Sequence, residues 1–175
     1  STFCPSSMRQ VRRQLLYFSV LASRARLQLV TTISRVPGEY FIDHKTRELY
    51  FYPLTPLSAT SIPVLSKNAT ALQLDGVNHV TVRGLEILHA RGSGVSAMGV
   101  TGVSIRNCTV AGHALDGITL LGTDSEVVDT IVHDCGCAGI RAHGGNDTLL
   151  TPGNLSVLRN EIYDVAQWKR TYTPG

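Results

Sequence analysis

Apolar and polar residues alternate over short runs, and the runs recur at a fixed interval. Val80–Ile87 has the same pattern as Val103–Val110, about 23 residues later. Ser125–Val132 follows after about 22 more, and Leu155–Ile162 after about 30, with Thr148–Gly153 reading as an inserted loop. A second run repeats in the same frame: Gly94–Gly99, Gly117–Gly122 and Gly139–Gly144. Strand residues two apart share a face. The pattern therefore predicts that Val80, Val82, Val103, Ile105, Val127 and Val157 point inward, with Val95, Ala97, Ile118, Leu120, Ile140 and Ala142. Stacked coils of a parallel solenoid satisfy both runs at once. An antiparallel sandwich also has short strands, but it has no reason to keep two strands in constant phase.

Glycines mark corners, where a positive φ or a close approach is needed. Leu85, Cys108, Thr130 and Asn160 fall at one equivalent corner, and the Asn160 side chain is expected to bond backbone there. Before the repeats, at residues 37–66, lies a hairpin and linker: Glu39–Asp43, a turn at His44–Arg47, and the return Glu48–Tyr52. Its two faces are both apolar, so one must pack on something. Residues 1–36 form a basic lead-in, and residues 67–175 form the coils.

Six arginines precede the first acid, Glu39, which leaves ten basic residues against 13 acidic ones in the remainder. That slightly acidic body argues against nucleic acid as a partner. The acid-free lead-in, rich in Arg and Ser, resembles a transit peptide; the plainer reading is a β-containing segment ending at Val36. No run is apolar enough to span a bilayer. Sequons at Asn68, Asn107, Asn146 and Asn154 lean toward a secreted protein, with Asn107 expected to be shielded inside a repeat.

Pro37–Pro53 resembles the hairpin that precedes the coils in a family of large right-handed parallel β-helix proteins of the pectin-lyase-like class. Thr148–Asn154, Asn160–Asp164 and Trp168–Gly175 carry the same resemblance, which covers residues 37–175. It implies an all-β, right-handed parallel β-helix and a carbohydrate-active protein, of glycoside hydrolase or polysaccharide lyase type in its full length. A non-catalytic glycan-binding or structural solenoid is the alternative. Arg47 stands where the family pattern has Gly, so the hairpin turn is expected to differ. The chain ends at Gly175 where further coils are expected, so the solenoid is read as partial.

Function on such a scaffold falls on outward positions and loops. The outward positions of the second strand are Ser96, Met98, Thr119, Leu121, Arg141 and His143. Asp116, His143 and Asp147 are the candidate catalytic groups, because glycoside hydrolysis commonly uses two carboxyl groups. Arg141, Lys169 and Tyr163 are the candidate substrate contacts; a lyase needs a cation against a uronate. A solvated polar edge is the competing reading, since Asp-Gly and His-Gly are ordinary turn pairs. A second candidate face combines Arg106, His133, Asp134, Glu161 and Tyr163, which can hold a glycan without cleaving it or simply bond corner backbone.

Cys135 and Cys137, with His133 and His113, lack the spacing of a structural zinc site and read as turn residues or disulfide partners. No phosphate loop, nucleophile elbow or His-Glu-x-x-His is present. The expected partner is a polysaccharide, met by a monomer with no metal and no cofactor.

Overall fold

The structure is a computed structural model that describes residues 37–54, 56, 64–146 and 148–171, with the backbone of Arg26–Leu29. The chain divides into two compact units, Ser1–Lys67 and Asn68–Gly175.

In the first unit, β1 (Arg26–Leu29), β2 (Tyr40–Asp43) and β3 (Glu48–Phe51) form one sheet in the order β1-β3-β2. β2 and β3 make the expected antiparallel hairpin, pairing Tyr40 with Phe51 and Asp43 with Glu48. β1 adds to the other edge of β3 in parallel. Leu49 and Phe51 form the buried face. Phe41 and Tyr50 form the other, with ring centroids 6.2 Å apart. The turn closes with the Arg47 N–H donating to Asp43 O at 2.8 Å, and Asp43 Oδ1 accepts the N–H groups of Lys45 and Thr46. Arg47 takes φ 61°, the left-handed region that favours glycine. The turn thus places a residue with a side chain where the backbone favours glycine.

In the second unit every strand belongs to one of three parallel sheets. The first coil is β4 (Leu72–Asp75), β5 (Thr81–Arg83) and β6 (Glu86–Leu88). The second is β7 (Val95–Thr101), β8 (Ser104–Arg106) and β9 (Thr109–Ala111). The third is β10 (Ile118–Thr123), β11 (Glu126–Val128) and β12 (Ile131–His133), and the fourth is β13 (Ile140–His143), β14 (Ser156–Leu158) and β15 (Glu161–Tyr163). Each strand pairs with its equivalents in adjacent coils, giving sheets β4-β7-β10-β13, β5-β8-β11-β14 and β6-β9-β12-β15. The described residues contain strands and turns but no helix.

Register makes the core. Val82, Ile105, Val127 and Val157 occupy one ladder, and Ile87, Val110, Val132 and Ile162 another. Leu72, Val95, Ile118 and Ile140 form a third. The inner members of these ladders are fully buried. Two predicted inward residues are exposed, Val157 at 44% and Ala142, and Val80 is half-buried. The two exposed residues lie on the fourth coil, whose strands have a paired neighbour on one side only among the described residues, although Ile140 on the same coil is buried.

Each coil bends at three left-handed residues, repeated coil after coil. His79, Gly102, Asp124 and Asn154 turn the first corner; Gly84, Asn107, Asp129 and Arg159 the second; His89, Gly112, Asp134 and Asp164 the third. Asn, Asp and His are the non-glycine residues that tolerate this region best. The bend aims each corner N–H at the next coil: His79 donates to Thr101 O at 2.9 Å, and Asn107 to Val128 O at 3.1 Å. Buried polar side chains complete the corners. Ser125 Oγ accepts the Val103 N–H and donates to Thr123 O; Thr130 Oγ1 accepts the Cys108 N–H and donates to Val128 O. Asn107 is exposed on its corner, contrary to the expectation that the repeat shields it.

Candidate functional site

The sheet β4-β7-β10-β13 presents two outward rows. Gln73, Ser96, Thr119 and Arg141 are in register in one; Asp75, Met98, Leu121 and His143 in the other. Strand spacing sets neighbours in a row about 4.8 Å apart. The first row offers amide, two hydroxyls and a guanidinium. The second offers an apolar middle, Met98 and Leu121, between a carboxylate and an imidazole. A bulge between Leu121 and Gly122 ends the regular rows, and beyond it Thr101 and Thr123 place their hydroxyls 3.4 Å apart.

Asp116 sits at the entrance to β10, and the structure brings it to Arg141. Its Oδ1 accepts the Ala138 N–H at 3.0 Å and the Arg141 guanidinium at 3.2 Å; Thr119 Oγ1 lies 3.4 Å from Oδ2. The carboxylate is mostly sheltered while Arg141 is half exposed. This contact holds one terminal nitrogen of a guanidinium whose other N–H groups can face a ligand. His143 is exposed two residues further along the same strand. Asp147 lies outside the described residues.

Lys169 is exposed, and its backbone N–H donates to Gly136 O at 3.3 Å. It thus flanks the Cys135–Ala138 turn that Asp116 holds from the other side. Tyr163 belongs to a different sheet. It stacks on His133, one coil back, with centroids 4.8 Å apart and planes 2° from parallel. Asp134 joins them through His133 Nδ1 at 2.8 Å, and Gln167 donates to Asp134 at 3.2 Å. Arg106, expected on that second face, is elsewhere: on β8 it pairs with Glu126, and its Nε donates to Ser104 Oγ at 2.7 Å. The Ser104 hydroxyl, then the Arg106 guanidinium, hold the Glu126 carboxyl below its ordinary range.

Cys108 and Cys135 are free, buried thiols and Cys137 is buried, so no disulfide joins Cys135 to Cys137. Burial pushes the Cys135 thiol up to about 12, which keeps it protonated. The described residues hold no group of three or more metal-ligating side chains. His113 is a fully buried structural residue that bridges two coils.

Sequence reasoning missed Gln73 and Asp75. The signal was there: Leu72 and Leu74 alternate with polar residues about 23 positions before Val95 and Ala97, one period upstream of the first recognised copy.

No helix among the described residues is long and apolar enough to cross a membrane. Comparison with curated proteins and with solved structures returned no match. The family model described as "right handed beta helix region" matches residues 64–167, more than half of the chain. Both strand repeats fall inside that span, and the chain belongs to the right-handed β-helix region family.

Proposed function

We propose that this is a polysaccharide-acting β-helix protein that binds a glycan along the outward face of β4-β7-β10-β13. The paired rows on that face carry the reading. A sugar ring offers an apolar face and a rim of hydroxyls, and the two rows offer an apolar strip beside a line of hydrogen-bonding groups. Arg141 is the principal polar contact, positioned by Asp116. Lys169 lies at the margin, and Tyr163 with His133 supplies a separate stacking contact. The exposed sequon residues Asn68, Asn107, Asn146 and Asn154 fit a secreted, glycosylated monomer.

Cleavage of the bound sugar, by hydrolysis or elimination, is the second reading. The exposed His143 beside Arg141 favours it, with His143 as base and Asp147 as the further carboxyl. Asp116 fits positioning better than proton transfer, because both its oxygens already accept hydrogen bonds. Binding is therefore the better supported half of the reading.

A glycan array probed with the purified chain, with reducing-end release followed on every glycan retained, tests both. Retention of a polysaccharide class, lost in Arg141→Ala, is the expected result. Retention that survives both Arg141→Ala and Thr119→Trp would contradict the proposed face. Retention without release would leave binding as the function.

A further inference from the structure

We propose that the junction between the first and second coils is an acid-sensitive latch, held closed by the neutral imidazole of His113. This inference goes beyond the glycan reading and does not depend on it.

The ring projects from the corner after β9 into the preceding coil. Its Nδ1 accepts the Ala90 N–H at 3.0 Å, and its Nε2 lies 3.0 Å from Ile87 O. A backbone N–H only donates and a carbonyl only accepts. The neutral tautomer with its proton on Nε2 is therefore the one state that satisfies both contacts. The ring packs tightly against Gly94, where an added Cβ would lie 2.5 Å from Nε2. Protonation would put an N–H on Nδ1 facing the Ala90 N–H, donor against donor, in a fully buried site.

Among the described residues, the surroundings offer no countercharge. His89, on the preceding coil, has a buried Nδ1 with no partner and is itself a potential cation. The loop carrying Gly94 bears only Arg91, and Glu86 on β6 is exposed. Cys135, from the following coil, stays a neutral thiol. Beyond it, Asp116 is committed to Ala138 and Arg141, and Asp134 to His133 and Gln167.

Burial lowers the His113 pKa from its ordinary value to about 4, and His89 is lowered by burial as well. The folded value lies below the unfolded one of about 6.5. Between those limits the opened state takes up a proton that the closed state refuses. Stability at this junction is thus full above about pH 6.5, falls as the pH drops toward 4, and levels off below.

Hydrogen exchange of the full chain, corrected for intrinsic rates at each pH, tests this. Between pH 7 and pH 4 the segment Glu86–Arg91 should open roughly 10²-fold more often, while Glu126–His133 changes far less. His113→Gln, which keeps an acceptor and a donor but cannot titrate, should remove most of the difference and leave the smaller part that His89 contributes. Equal acceleration in both segments, or acceleration undiminished in His113→Gln, would overturn the proposal. Should that variant fail to fold, imidazole ¹⁵N shifts of the unmodified chain decide: titration near 4 from the Nε2–H tautomer supports the latch, and titration near 6.5 sinks it.

Discussion

Asn160 reaches back one coil to Thr130: its Oδ1 accepts the Thr130 backbone N–H at 2.9 Å while its Nδ2 donates to Val127 O at 2.9 Å. One side chain thus satisfies a donor and an acceptor on the neighbouring coil. Asn160→Ala strands both and should cost about 2–3 kcal/mol. Asn160→Asp keeps the acceptor but sets oxygen against Val127 O, and should cost at least as much. Urea unfolding of the three proteins checks this; midpoints that coincide would show that water replaces the bridge.

Arg159 holds φ 53° at a corner where its equivalents are Gly84, Asn107 and Asp129. It also forms a two-pronged pair with Asp129, at 2.6 and 2.9 Å. Both partners are well exposed, so solvent screens the pair heavily. Arg159→Asn trades that pair for a residue suited to the left-handed region. The unfolding midpoint should hold or rise; a clear fall would mean that the pair outweighs the backbone strain.

Two glycines fail for different reasons. Gly84 has φ 67° and open space around it, so Gly84→Ala meets only conformational strain, about 1 kcal/mol. Gly94 has no positive φ to protect, but an added Cβ would lie 2.5 Å from His113 Nε2 and 2.6 Å from Gly117 O. Gly94→Ala should cost about 3 kcal/mol, as overpacking does. Parallel thermal melts compare them, and an equal cost would refute the steric argument at Gly94.

Arg47 gives the same test outside the coils. Arg47→Gly relieves φ 61° at the hairpin turn and should slow exchange of the β2–β3 amides, by about 1 kcal/mol of local stability. Faster exchange there would show that the freedom glycine gains when the hairpin opens dominates.

What could be read from residue order was whatever repeats. Val82, Ile105 and Val127 announce their shared column because the same alternation returns with each coil, and Asn160 could be placed at its corner by counting. Arg141 beside Asp116 was legible for the same reason. What could not be read depends on a neighbour's state rather than on period. Ala142 and Val157 follow the inward pattern, yet both are exposed on the fourth coil, where Ile140 is buried. The structural role of His113 was hidden because nothing local reveals that Ala90 N–H and Ile87 O, about one coil away, claim both its nitrogens. The left-handed corners were half hidden, because His79, Asp129 and Arg159 do there what glycine does elsewhere. Arg106 was assigned to the wrong face because its strand, β8, and the strand of Tyr163, β15, lie in different sheets on either side of a corner.

The sharpest test of the account is whether bulk on one face, and no other, blocks a glycan. Affinity electrophoresis of the full chain through gels holding a neutral β-glucan, a xylan or a polyuronate would compare four proteins: the unaltered chain, Thr119→Trp, Arg141→Ala, and Thr81→Trp on the neighbouring sheet. Retardation in at least one gel, weakened roughly tenfold or more by Thr119→Trp and Arg141→Ala and untouched by Thr81→Trp, is what the account predicts. Free migration of the unaltered chain in all three gels, or equal weakening by Thr81→Trp, would contradict it.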